Sequence, residues 1–235
     1  MDIIQAGRFE LPVLHLDNHV LAVVKPPNMP VQRDQSNDLD VLTACKAFIG
    51  EKFQKPGAVY LGLVHRLDRP VGGCMILART SKAAARLSKT FSAHDAQKEY
   101  LCVLQGALET PLELQDWLLK NEHTGSSKVV PEATPGAKFA HLHTEPLCCA
   151  QGLTLVQVAL YTGRSHQIRV QHAHAGLPLW GDARYGGGKP GEQIALWAHK
   201  LTVPHPTTKA PLTLVSNPPT EGAWALFAPM IHKEG

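Results

Sequence analysis

Glycine and proline constrain this chain more than any other feature: 19 Gly and 18 Pro among 235 residues leave only short apolar segments between turns. A chain that must reverse so often favours strands joined by turns over long helices. Residues 12–25 alternate between apolar and polar around Asp17-Asn18-His19, which predicts two strands and a polar turn, followed by the rigid loop Lys25-Pro26-Pro27-Asn28-Met29-Pro30. Residues 59–64, 74–78 and 97–104 read as strands, with Gly72-Gly73 breaking the chain before the second. Residues 137–147 and 153–161 read as a hairpin. Helical spacing marks a segment capped by Asp38 or Asp40 and ending near Lys52, and an Ala-rich one capped by Thr80 or Ser81 and ending near His94. A third covers residues 166–175, capped by Ser165 and stopped by Gly176-Leu177-Pro178. Residues 181–191 form a glycine-rich loop, and two or three short strands are expected to finish the chain. Strands outnumber helices and the helices are irregularly spaced, so the expected class is α+β with a large, mixed, mostly antiparallel sheet flanked by helices. No repeat or low-complexity linker interrupts residues 1–235, which read as a single catalytic domain.

With 44% hydrophobic and 18% charged residues the chain is too apolar for intrinsic disorder. No apolar run approaches the ~18 residues of a membrane span, and the start lacks the basic and apolar regions of a signal peptide. Five cysteines, odd in number and without a C-x-x-C pair, fit neither a disulfide framework nor a zinc ribbon and suit a reducing cytoplasm. The net charge of +3 is a weak argument for a polyanionic partner. Its distribution says more: residues 61–110 carry 7 basic and 4 acidic side chains, and residues 161–235 again carry 7 and 4. If those stretches meet, they make a basic groove suited to phosphates.

Several familiar signatures fail on inspection. Tyr185-Gly186-Gly187-Gly188-Lys189 ends in Pro190, where a P-loop needs Ser or Thr. His65-Arg66-Leu67-Asp68 is not the kinase order, and His141-x-His143 and His172-x-His174 lack a carboxylate or thiol at metal-ligand spacing, so no metal site is expected. Two stretches keep chemical interest. Asp68, flanked by Arg66 and Arg69 and followed by glycines, is placed as an ionised carboxylate at the end of a strand, although Asp beside Pro and Gly is also ordinary turn chemistry. In Gly163-Arg164-Ser165-His166-Gln167-Ile168-Arg169, basic and hydroxyl groups gather at a helix start, an arrangement that suits anions as well as a plain surface helix. Lys98-Glu99-Tyr100 adds an aromatic on a strand.

Taken together these pieces resemble the RluA-type RNA pseudouridine synthases. The resemblance runs through Lys25-Pro26, His65-Arg66-Leu67-Asp68, Lys98-Glu99-Tyr100-Leu101, Gly163 to Arg169, Pro178 to Asp182 with Tyr185-Gly186, and Ala198-His199-Lys200-Leu201, in order, from about residue 12 to 215. It implies the pseudouridine synthase fold with a central catalytic cleft, Asp68 as the catalytic carboxylate, Tyr100 stacked on the target uracil, and Arg169 paired with Asp68. It further implies Arg66 as the residue that intrudes into RNA and Ile168 as a wall of the uracil pocket. His65, Arg69, Arg164, His166 and Gln167 would contact RNA or order its loop. Where many relatives have Thr-Ser-Gly after the aspartate loop, this chain has Val71-Gly72-Gly73, which removes two hydroxyls. The chain begins directly in catalytic-domain sequence, so a short form without the N-terminal RNA-binding domain is expected.

The function implied is isomerisation of uridine to pseudouridine in ribosomal or transfer RNA, in the cytoplasm, by a monomer. No cofactor, metal, membrane or obligate protein partner is called for. The alternatives are a non-catalytic RNA-binding or RNA-folding protein on the same scaffold, and a hydrolase that releases free uracil.

Overall fold

The computed structural model describes residues 2–36 and 38–232. The chain divides into two compact units: Met1–Gln97 with Ala198–Ser216, and Lys98–Trp197 with Asn217–Gly235. The class is the expected one, α+β, and every strand pairing described below is antiparallel.

The first unit contains β1 (Ile3–Ala6), β2 (Phe9–Leu16), β3 (Val20–Lys25), β4 (Gly62–Leu63) and β5 (Gly72–Ala78), with helices α1 (Val41–Lys52) and α2 (Ser81–Ser92). Strands run in the order β1-β2-β3-β5, with β4 also beside β5. β3 and β5 are apolar at nearly every position because both of their faces are covered. Their period-two alternation divides the core. Leu21, Val23, Met75 and Leu77 join Val41, Cys45 and Ile49 of α1, whereas Val20, Ala22, Cys74 and Ile76 join Ala83 and Leu87 of α2. Asp40 caps α1 by accepting the Thr43 N–H at 2.9 Å, and the Thr80 hydroxyl caps α2 by accepting the Ala83 N–H at 3.1 Å. Gly72 and Gly73 do not break the chain before β5; they are its first two residues. Gly73 has φ +123°, and a Cβ there would lie 2.3 Å from the carbonyl oxygen of Ala198, so only glycine fits.

The second unit holds β6 (Gln97–Gln105), β7 (Leu112–Lys120), β8 (Ser127–Val130), β9 (Lys138–Ala150) and β10 (Leu153–Leu160), followed by helix α3 (Gln167–His174). The order is β6-β10-β9-β7-β8. Gln151 and Gly152, with φ +52° and +75°, turn the predicted hairpin between β9 and β10. On one face of this sheet Leu118 and Ala140 pack against Val170 of α3. The last strands, β11 (Leu196–Pro204) and β12 (Pro211–Val215), pair at Lys200–Pro204, a stretch that belongs to the first unit. These are two of the two or three strands expected after residue 191; the described residues then continue, where no helix was expected, into a 3-10 turn at Gly222–Phe227 and the short helix α4 (Ala228–Ile231). Trp224 and Phe227, three residues apart, are both buried, and this spacing suits a 3-10 turn where a strand would separate them to opposite faces.

Candidate active site

In the first unit the expected carboxylate, Asp68, stands on a loop just before β5. A tight turn, closed by the Val71 N–H donating to the Asp68 carbonyl at 3.0 Å, carries the carboxylate. Beneath it lies Lys25, wholly buried at the end of β3. Its ammonium donates to three carbonyls, those of Pro26 (2.9 Å), Arg69 (3.0 Å) and Val71 (2.8 Å), so three donors meet three acceptors. Burial pushes this ammonium down to about 7, against the favourable negative charge of Asp68 and with the unfavourable charge of Arg69. The Asn28 N–H donates to the Arg69 carbonyl at 2.8 Å, and the Arg69 guanidinium donates back to the Asn28 carbonyl and to Asp34 at 3.1 Å, with Asp38 a further partner. Main-chain carbonyls thus fix this loop around Val71-Gly72-Gly73, with Lys25 as the pin.

Removing that pin leaves the Pro26 and Val71 carbonyls without their donor, each costing about 1 to 3 kcal/mol where water cannot reach, while the Arg69 carbonyl keeps only the Asn28 N–H. Lys25→Met is expected to lower stability by about 3 kcal/mol or more in urea unfolding and to slow turnover at least tenfold. A variant with unaltered unfolding midpoint and rate would show that the cage does not hold the loop.

Of the other expected residues in this unit, Arg66 is exposed and makes no hydrogen bond or ion pair among the described residues, a state suited to contact with RNA. His65 instead has local work: its ring stacks on Phe91 with centroids 4.7 Å apart, and its Nε2 accepts the Ile76 N–H at 3.0 Å.

In the second unit Arg169 of α3 is buried and gives a two-pronged bond to Asp182, Nε to Oδ2 at 2.8 Å and Nη2 to Oδ1 at 2.7 Å. Its guanidinium also lies 5.2 Å from the centre of the Tyr185 ring. The Tyr185 hydroxyl accepts the Ser127 N–H at 2.9 Å and bonds His166 Nδ1 at 2.8 Å. Asp182 is held by the glycine-rich loop, where its N–H donates to Leu179 and its carbonyl accepts the Gly187 N–H. A Cβ on Gly187 would sit 1.8 Å from the Leu179 carbonyl oxygen, which is why the loop closes only with glycine there.

The start of α3 departs from the expected cap. Ser165 does not cap the helix; His166 occupies the cap position in the left-handed region, φ +55°, without a side-chain capping bond. The reason is Gln167, whose side-chain oxygen accepts the Arg164 N–H at 3.0 Å and the Thr162 hydroxyl at 2.7 Å, folding the loop over the helix start. Arg164 donates to the Phe139 carbonyl at 2.8 Å, and Ile168 is buried. Tyr100 lies on β6 opposite Val158 of β10. Two residues before it on the same strand face, Lys98 donates to the Thr162 carbonyl at 3.0 Å, tying the tyrosine's strand to the Gly163-Arg164 loop. Burial and the Arg164 charge push the Lys98 ammonium down to about 8.

Behind this loop His172 is fully buried, with Nδ1 bonded to the Ile168 carbonyl (2.7 Å) and Nε2 to the Thr144 hydroxyl (2.9 Å). Burial pushes it down to about 4. Between pH 6.5 and 4 the unfolded chain binds a proton here that the folded chain refuses. Stability is therefore expected to fall as pH drops through that window, by up to about 3 kcal/mol, and His172 adds no slope above it. Urea unfolding at pH 7 and 4.5 tests this: His172→Gln should flatten the slope, and an unchanged slope would move the effect to other groups.

Lys25, Asp182, Tyr185 and Lys98 carry no role in the sequence reading, although each lies within a stretch that resembles the family. The signal available was the motif itself; their partners are up to 64 residues away and invisible to spacing.

Comparison with known proteins bears directly on this arrangement. Residues 19–174 match the RNA pseudouridylate synthase family. An uncharacterized RNA pseudouridine synthase of Zymomonas mobilis is 34% identical over 86% of this chain and 90% of its own length. The ribosomal large subunit pseudouridine synthase C of Vibrio vulnificus is 29% identical over 86% of this chain but only 64% of its own length. Among solved structures, human RNA pseudouridylate synthase domain containing 4 superposes with a TM-score of 0.73 at 19% identity, covering 88% of each chain, a likeness of fold. The family match over most of the chain, with its motifs in order on this fold, makes the chain a member of the RNA pseudouridylate synthase family, isomerases that convert uridine in RNA to pseudouridine.

Proposed function

We propose that this chain modifies specific uridines of ribosomal RNA, or failing that transfer RNA, with Asp68, Tyr100 and Arg169 as its catalytic set. The observation that carries the reading is the Asp68 turn: a carboxylate on a loop whose backbone is fixed from below by a fully buried ammonium. A loop this strongly anchored suits a reacting group that must be held still. The names of relatives, ribosomal large subunit pseudouridine synthases C and D, support ribosomal RNA as the substrate.

The reaction breaks the bond from uracil N1 to the ribose, turns the base, and joins C5 to the same sugar carbon, with the C5 proton leaving and N1 taking up a proton. It is redox-neutral and transfers no group to a second molecule, so it calls for no metal or cofactor. Asp68 promotes it either by attacking the anomeric carbon or by removing a ribose proton to give a glycal. Tyr100 supplies a stacking face for the flipped base, and Ile168 an apolar wall. Arg169, already oriented by Asp182, serves to orient Asp68. Arg66, Arg69, Arg164, His65, His166 and Gln167 contact RNA or order the loops that do. The two units act as one catalytic domain, residues 1–235, and the protein works as a cytoplasmic monomer without an obligate protein partner. Five cysteines, all unpaired, suit that reducing compartment.

The test is to incubate purified protein with ribosomal and transfer RNA lacking the modification, and to map pseudouridine by carbodiimide-dependent primer-extension stops. New stops absent with Asp68→Asn establish the activity and name the site. Released uracil would indicate a hydrolase, and RNA binding without new stops a non-catalytic protein.

A further inference from the structure

Helix α2 carries charge that its surroundings do not neutralise. Its 12 residues include Lys82, Arg86 and Lys89 and no acid, so this one helix bears three positive charges in a chain whose net charge is +3. The three recur at i, i+4 and i+7, which sets them on a single stripe. Ala83 and Leu87, on another face, are buried against β3 and β5. Lys82 and Lys89 are exposed and make no hydrogen bond or ion pair among the described residues. Arg86 donates to the Pro206 carbonyl at 2.7 Å and, among the described residues, meets no carboxylate.

Nothing nearby offsets this charge. None of β3, β4, β5, β11 and β12, the strands around α2, contains an acidic residue. Asp95 lies beyond the end of the helix, and Asp17 is taken up by His15, His205 and the N–H groups of His19 and Val20. Cations at these spacings are neighbours that repel one another, and Lys82 stands in the first turn, where the helix dipole is itself positive. Helix α1 is arranged otherwise: it contains Glu51, and its Lys52 pairs with Asp2 at 2.9 Å. A stripe that keeps three cations together against repulsion and dipole suits an anion supplied from outside.

The neighbouring loop indicates which anion. In the last turn of α2 the Phe91 ring stacks on His65, centroids 4.7 Å apart, so the helix packs against the segment that bears exposed Arg66 and then Asp68. At 1.5 Å rise per residue the cations stand from about 3 to about 14 Å along the axis from Phe91. A uridine brought to Asp68 belongs to a strand whose phosphates continue on both sides of it, and spaced cations without carboxylates fit such a polyanion. Beside the cationic stripe runs a parallel one of small exposed residues, Ser81, Ala85, Ser88 and Ser92, which leaves room for a sugar–phosphate backbone to come close.

We propose that Lys82, Arg86 and Lys89 grip the sugar–phosphate backbone of the substrate RNA next to the target uridine, whatever its sequence. The proposal rests on the reading of Asp68 as the reacting carboxylate of an RNA-modifying enzyme, and it gives α2 a binding role.

Anisotropy of a fluorescein-labelled RNA hairpin with a uridine-rich loop, between about 50 and 200 mM salt, tests it. Lys82→Gln with Lys89→Gln is expected to weaken binding about tenfold at the low end and to reduce the slope of log affinity against log salt by about 1.4 to 1.8, equally for an adenine-rich loop. Its melting transition should be unaltered or raised, because like charges are separated. Two controls accompany it and should bind as wild type does: Lys82→Arg with Lys89→Arg, which keeps the charge, and Lys46→Gln with Lys55→Gln, which removes the same charge from α1 and the turn after it. Wild-type affinity and slope in the glutamine variant, or an equal loss in either control, would overturn the proposal. So would capture by phosphatidylserine vesicles that depends on Lys82 and Lys89 while hairpin binding does not. Its fate is separable from that of the isomerase: α2-dependent hairpin binding without pseudouridine formation keeps the RNA grip and removes the isomerase, and pseudouridine formation with α2-independent binding does the reverse.

Discussion

Asp68→Asn is expected to reduce pseudouridine formation at least about 10³-fold while RNA affinity changes less than about twofold. Asparagine matches the shape of aspartate but cannot ionise, so it can neither attack the sugar nor accept its proton, and general-base or nucleophilic contributions commonly span ~10² to 10⁴. The turn that carries residue 68 is closed by main-chain bonds and by Lys25, none of which needs the carboxylate, so the loop should stay in place. One secondary effect follows from charge: Lys25 loses the anion that favours its buried ammonium, and its proton should be held less tightly than in the wild type. Single-turnover rates and filter binding on the same RNA read the two quantities separately. Affinity that falls in step with rate would make Asp68 a binding residue.

The largest loss of stability should come from Asp182→Ala. Arg169 and Asp182 expose only 7% and 1% of their side chains, so the variant takes the bidentate carboxylate from a guanidinium that water cannot solvate, at a cost of about 3 to 5 kcal/mol. The same substitution removes the bidentate fork that orients Arg169, so activity should fall beyond what unfolding explains. The two effects separate in a double variant. Replacing both partners by apolar residues, Arg169→Met with Asp182→Leu, relieves the stranded charge and should recover most of the stability, while turnover stays low because the oriented guanidinium is gone. A loss below about 1 kcal/mol in Asp182→Ala, measured by urea unfolding, would show that the pair is solvated and that it does not fix Arg169.

Much of the fold could be read from residues whose local chemistry and tertiary setting agree. Asp40 and Thr80 cap their helices as the sequence suggests, the alternation of β2 and β9 matches burial on the sheet, and β3 is a continuous apolar run buried on both faces. Other elements exist only through long-range pairing. β7 and β8 mix Glu113, Gln115 and Lys128 with apolar residues and resemble loop until β9 provides a ladder, and β1 has four residues with only β2 beside it. β4 shrinks to two residues where six were expected, since only Gly62 and Leu63 find partners on β5. The site divides in the same way. Motif resemblance is what puts Asp68, Tyr100 and Arg169 forward, but Lys25 reaches carbonyls 44 and 46 residues away and Asp182 lies across a glycine-rich loop. No local pattern reports such pairings. Glu113 between His141 and His143 shows the same limit, a carboxylate brought to a histidine pair by register alone.

The close approach of Gly73 to Ala198 joins positions far apart in the sequence, and so it bears on the order of synthesis. The unit that bears Asp68 takes Leu201, Val203 and Leu214 into the same core as Val20 and Ile76, and Cys74 bonds to the His199 carbonyl and the Ser216 hydroxyl. A nascent chain that has emerged only as far as residue 197 holds the aspartate and its lysine but lacks that wall of the core. The unit that bears Asp68 is finished only after nearly all of the second unit has left the ribosome, so truncated products carry that carboxylate without the complete scaffold that steadies it.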